Sequence, residues 1–211
     1  MKWYRNHPRI FAVRAAAALS SLLLVIAVAA PAEATTRVVN TIPAWNGSAY
    51  VYPFGEPETA TYGQVITARS DTHRFLKSFR FIVNLPPSVK FRGYVYEWDA
   101  QAQRATGVAR WSGLTRHTSA ETWQPVTVNT GRLRLIPGHK YVLFLSVTGI
   151  PQQPRTGIFA QPQEQNLYAG GAFVFFNNSD VSDWTTQPWD GGAGDFLGPG
   201  GDLAFRVVFS D

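Results

Sequence analysis

The stretch RFLKSFRFIVNL, Arg74–Leu85, decides the fold. Phe79, Phe81, Val83 and Leu85 occupy every second position, with Ser78, Arg80, Ile82 and Asn84 between them. A period of two places one set of side chains on each face of a strand, whereas a helix would bring them together at spacings of three and four. Pro86-Pro87 ends the strand, because proline has no N–H to give to a ladder. Outward in both directions the same signal recurs. Val89–Trp98 puts Tyr94, Tyr96 and Trp98 on one face. Lys140–Val147 puts Tyr141, Leu143 and Leu145 on one face, and Leu203–Phe209 does the same with Leu203, Phe205, Val207 and Phe209.

Shorter alternating segments fill the rest. They are Arg37–Ile42, Ala49–Tyr52, Tyr62–Ala68, Val108–Trp111, Trp123–Asn129, Leu133–Ile136 and Ala172–Asn177. Turn clusters such as Asn129-Thr130-Gly131 and Pro137-Gly138 separate them, and the Pro- and Gln-rich Ile150–Gln165 reads as a long loop. About ten short strands and no sustained helical period predict an all-β protein, a single β-sandwich of jelly-roll-like topology. Its core is expected at Phe79, Phe81, Val83, Tyr141, Leu143, Leu145, Phe205 and Val207.

The N-terminus reads differently. Residues 1–14 carry Lys2, Arg5, Arg9 and Arg14 and no acid, Ala15–Ala30 is apolar apart from two serines, and Pro31-Ala32-Glu33-Ala34 ends in an A-x-A pattern. This is the pattern of a signal peptide over 1–34, cleaved before Thr35, with one domain over 35–211. The apolar run is shorter than the ~20 residues a spanning helix needs, so the expected product is secreted or held in the cell envelope, with no membrane span once the signal is gone. The absence of cysteine leaves packing rather than disulfides to hold it together.

Charge is uneven. The chain has 19 basic and 14 acidic residues; without Lys2, Arg5, Arg9, Arg14 and Glu33 the balance is 15 to 13, net +2. Most of the excess positive charge therefore belongs to the removable segment, which argues against a nucleic-acid partner. Thr35–Arg155 holds 14 basic and six acidic residues, net +8, while Thr156–Asp211 holds one basic and seven acidic residues, net −6. The two halves can attract each other across one domain. Alternatively, Asp180, Asp183, Asp190 and Asp195, set among glycines, could gather oxygens around calcium, which takes six to eight. No other cofactor is implied.

Several phrases occur in an order that resembles a group of uncharacterised exported bacterial β-sandwich domains, also found in surface-anchored proteins. They are Phe91–Asp99, Ala105-Thr106-Gly107, Leu135–Leu145, Tyr168–Phe173 and Asp202–Phe205. The resemblance covers roughly Gly63–Ser210 and implies the fold and export; its motifs are structural.

Catalytic signatures are sparse. There is no G-x-S-x-G turn, and His73, His117 and His139 lie in separate segments. Glu97 and Asp99 would share a strand face, but Asp99 after Trp98 reads as a turn-starting residue capping its own backbone. No catalytic residue is assigned. Trp184 and Trp189 flank the acidic loop in a polar context and are expected to be partly exposed, as ligand-binding side chains would be. The leading expectation is thus a non-catalytic binding or surface-interaction module with carbohydrate as the ligand class. The alternatives are a structural or adhesive envelope protein without a small ligand, and a glycoside hydrolase-like enzyme. The sequence does not define an oligomeric state.

Overall fold

A computed structural model describes residues 35–211 except 70–71, 165, 178–179 and 192–200. The signal peptide expected over 1–34 lies outside the described residues. The described chain forms twelve strands: β1 (Thr36–Asn40), β2 (Tyr50–Glu56), β3 (Thr61–Thr67), β4 (Phe75–Asn84), β5 (Arg92–Asp99), β6 (Arg104–Ser112), β7 (Gln124–Arg134), β8 (Lys140–Ser146), β9 (Arg155–Ala160), β10 (Phe173–Phe176), β11 (Asp190–Gly191) and β12 (Phe205–Ser210). Short 3-10 helices follow β1, at Ile42–Ala44, and β10, at Val181–Thr185.

The strands make two antiparallel sheets. In the first, β1, β12, β4 and β7 lie side by side, and β9 and β2 continue from the far end of β4. In the second the order is β11-β10-β3-β8-β5-β6. Taking β1, β3–β8 and β12 alone, the chain fills four positions in each sheet in the alternating order of a jelly roll, with β2, β9, β10 and β11 added at edges. The all-β sandwich expected from the alternation is therefore the observed architecture.

The inner faces meet through the residues the alternation picks out. Phe79, Phe81, Val83, Phe205 and Val207 come from the first sheet and Tyr141, Leu143 and Leu145 from the second, and every one is buried. Aromatic edges knit the centre: Phe54, Tyr62, Phe81 and Phe159 pack with ring centroids 4.8–5.8 Å apart. Gly93 on β5 leaves room for the other sheet, since a Cβ there would lie 2.8 Å from Val128.

Two local expectations are corrected. Asn129-Thr130-Gly131 does not divide two strands; β7 runs through it. The register against β4 shifts there, Gly131 takes a φ of +72°, and the Thr130 hydroxyl donates to the Leu76 carbonyl at 2.7 Å. The segment is a bulge whose side chain replaces a lost ladder bond. Ile150–Gln165 is not all loop: β9 lies within it, with Phe159 buried between β2 and β4.

Candidate functional site

The second sheet is apolar on both faces. Its outer face carries Val65, Tyr94, Tyr96, Trp98, Val142, Phe144, Val174 and Phe176, all buried. The cover comes from the segment expected to be a solvated loop. Trp184, in the 3-10 helix, sits 4.9–5.9 Å from the rings of Tyr94, Tyr96 and Phe144. Trp189, just before β11, packs on Trp98, Phe144 and Phe176 at 5.2–5.6 Å and donates its indole N–H to the Trp184 carbonyl at 2.9 Å. Their exposures are 0% and 1%. The expectation that Trp184 and Trp189 present partly exposed rings is corrected: they form a second core. Burying an indole of 150–250 Å² is worth on the order of 4–6 kcal/mol, which outweighs the polarity of the flanking residues.

The acidic residues of this segment have local structural work. Asp180 caps the 3-10 helix, accepting from the Ser182 N–H and hydroxyl at 2.8 Å, and these bonds hold its carboxyl below the usual aspartate range. Asp183 is half-buried within that helix and accepts from the Thr186 hydroxyl, and Asp190 is exposed in β11. Asp195 lies outside the described residues. Among the described residues no group of three or more His, Cys, Asp or Glu is placed to hold a metal ion.

Asp202, the last acid of that run, is interior, 1% exposed at the entry to β12. Its Oδ1 accepts from the Gln64 amide at 2.7 Å and its Oδ2 from the Tyr168 N–H at 2.8 Å, while Gln64 Oε1 accepts from the Leu203 N–H at 3.0 Å. Desolvation raises its carboxyl to about 6, against the lowering effect of those donors.

The candidate hydrolytic pair is not assembled. Asp99 Oδ1 accepts from the N–H groups of Gln101 and Ala102 at 2.8 and 2.9 Å, which depresses its carboxyl, as a turn-starting aspartate should. Glu97 Oε1 instead meets His139 Nδ1 at 2.5 Å.

What the sequence reading missed lies at the far edge of the first sheet. Tyr50 and Tyr52, on edge strand β2, are 56% and 58% exposed. Beside the start of this strand, Trp45 donates its indole N–H to the Ala49 carbonyl at 2.7 Å and packs edge-on against Trp123, centroids 4.8 Å apart. Both indoles are half-buried. Tyr52 also lines a hollow of about 260 Å³ whose walls include Glu56, Glu58, Glu121, Pro86 and Arg155. The Tyr52 ring thus shares one open hollow with Glu56, Glu58, Glu121 and Arg155. A detectable signal was present: Tyr50 and Tyr52 alternate on a strand otherwise short of outward polar side chains.

No protein-family model matches the sequence, and no match is found among curated proteins. The solved structures that resemble it include two of the cysteine protease Cwp84. One, of the cysteine protease and lectin-like domains of this surface layer associated protein of Clostridium difficile, aligns at 13% identity and a TM-score of 0.43 over 72% of this chain and 32% of that one. The other, of the clostridial protease after propeptide cleavage, aligns at 13% identity and a TM-score of 0.46 over 83% and 40%. The chain thus spans well under half the length of either. Among the described residues no helix is long and apolar enough to cross a membrane.

Proposed function

We propose that this protein is an exported, non-catalytic glycan-binding module of the cell envelope, of the exported β-sandwich kind its phrases resemble, and that it holds its ligand on the surface formed by Tyr50, Tyr52, Trp45 and Trp123. The observation that carries this reading is the exposure of both tyrosines next to a hollow walled by Glu56, Glu58, Glu121 and Arg155. Pyranose rings have an apolar face of C–H groups and an equatorial rim of hydroxyls. A flat aromatic ring takes the first without the rotamer cost of a long side chain; carboxylates and a guanidinium take the second through charge-assisted hydrogen bonds. An open, shallow surface suits an extended chain, with each subsite adding modest affinity. The basic, apolar leader ending in Ala32-Glu33-Ala34 supports export.

The test is a glycan-array screen of the purified protein and a Tyr50→Ala/Tyr52→Ala double variant. Retention of one or a few related glycans, lost in the double variant, is the expected result. Equal retention by both proteins, or no retention of any glycan, contradicts the reading. Release of new reducing ends on incubation with the bound glycan would replace it with the hydrolase alternative.

A further inference from the structure

Strand β1 is held at its two ends more than along its length. It lies at the edge of its sheet and, among the described residues, pairs with β12 alone. Four of its five residues are exposed, and Val39 is the side chain that packs on the core. Where β1 leaves the sheet, buried Thr41 fixes it. The Thr41 N–H donates to the Phe205 carbonyl at 2.9 Å and its hydroxyl to the Leu203 carbonyl at 2.7 Å. Where β1 enters the sheet, the bonds come from Thr35. Its N–H donates to Asp211 Oδ2 at 3.1 Å and its hydroxyl to the same oxygen at 2.5 Å. That hydroxyl proton is committed to Asp211, so the 3.1 Å contact between Thr35 Oγ1 and His73 Nε2 is a bond donated by the imidazole.

Thr35 is also the residue that the A-x-A pattern of Ala32-Glu33-Ala34 leaves first. While Ala34 is attached, the Thr35 nitrogen is a peptide N–H, with one proton and no charge. Cleavage turns the same nitrogen into an α-amino group, which is protonated at neutral pH and then carries three N–H donors and a positive charge. The carboxylate that receives it can use both. Asp211 Oδ1 makes no hydrogen bond with any described residue, and His73 Nε2 stands 3.6 Å from it. Arg132, the guanidinium at this end, donates to the Asp211 backbone carbonyl. An ammonium seated on Oδ2 has protons to spare for Oδ1, and a hydrogen bond between two charged groups is roughly twice as strong as one between neutral groups.

We propose that removal of the leader itself locks β1: the ammonium created at Thr35 forms an ion pair with the Asp211 carboxylate, so that the precursor has a fraying edge strand and the mature protein a fixed one. The inference rests on the export reading, with cleavage before Thr35, and is independent of any glycan.

The test compares protein secreted by cells expressing the full chain, its first residue identified by mass spectrometry, with a form that retains an N-acetylated Ala34 and so keeps a peptide N–H at Thr35. The secreted form should melt about 2 °C or more above the acetylated one, and its Thr36–Asn40 amides should exchange with solvent at least tenfold more slowly. Asp211→Asn should erase both differences with each form still folded; a carboxylate that merely capped the strand would lower the two forms alike. A secreted protein whose first residue is not Thr35 would overturn the export boundary and this inference together. A Thr35 start with equal melting and equal exchange, or a difference that persists in Asp211→Asn, would overturn this inference and leave the export reading intact.

Discussion

Asp202 is the residue whose environment makes the sharpest statement about solution behaviour. Burial lifts its carboxyl from the ordinary aspartate value of 3.8 to about 6, so the folded protein holds this proton more tightly than the unfolded chain. Between about pH 4 and pH 6 the folded state therefore binds more protons, and stability falls as pH rises through that window, then levels off above it. The shift corresponds to roughly 3 kcal/mol at 1.36 kcal/mol per pH unit. Asp99, Asp180 and Asp211 have depressed carboxyls and act the opposite way, and their contribution is lost only as pH falls below the usual aspartate range. Denaturant melts of the wild type between pH 4 and pH 7 should show the decline, and Asp202→Asn should flatten it. A flat wild-type profile would mean that water reaches the carboxylate. Asp202 is one of seven acidic residues in Thr156–Asp211, and nothing in its sequence neighbours marks it as the one that turns inward to meet Gln64.

At the scale of elements, legibility followed the pattern of the side chains. Strands β4, β8 and β12 alternate cleanly, and their inward residues are the core. Phe81→Ala, in the middle of β4 and 1% exposed, should cost about 3–5 kcal/mol, measurable as a shift in denaturation midpoint. Strand β9 escaped because its six residues stand among Pro and Gln, and the bulge in β7 escaped because Asn-Thr-Gly serves equally for a turn. Trp184 and Trp189 were misplaced for a different reason. The run YVLFL, Tyr141–Leu145, is apolar at consecutive positions, the mark of a strand buried on both faces, and it demanded a cover. The sequence does not advertise that cover, because its two tryptophans are embedded among Asp, Ser and Gln. Trp184→Ala should therefore destabilise by about 3–5 kcal/mol. Trp184→Phe should cost much less, since it also removes an indole N–H that has no partner among the described residues. Equal losses in the two variants would contradict the packing described for the outer face.

For the whole molecule, the C-terminal end is tied back to the body at Asp211. Asp211 draws in Thr35, which donates its N–H at 3.1 Å, with His73 3.6 Å away, and Arg132 donates to the Asp211 carbonyl. The basic body and the acidic C-terminal third meet along the first sheet, where β12 lies between β1 and β4. That arrangement leaves the edge at β2 as the face where exposed rings and carboxylates coincide, and the proposed function rests on that coincidence. The measurement that tests it most directly is a calorimetric titration of the glycan retained on the array into wild type, Tyr50→Ala/Tyr52→Ala and Trp184→Phe. The account predicts at least a tenfold loss of affinity in the tyrosine variant and none in Trp184→Phe, with both variants folded. Undiminished affinity in the tyrosine variant would contradict it.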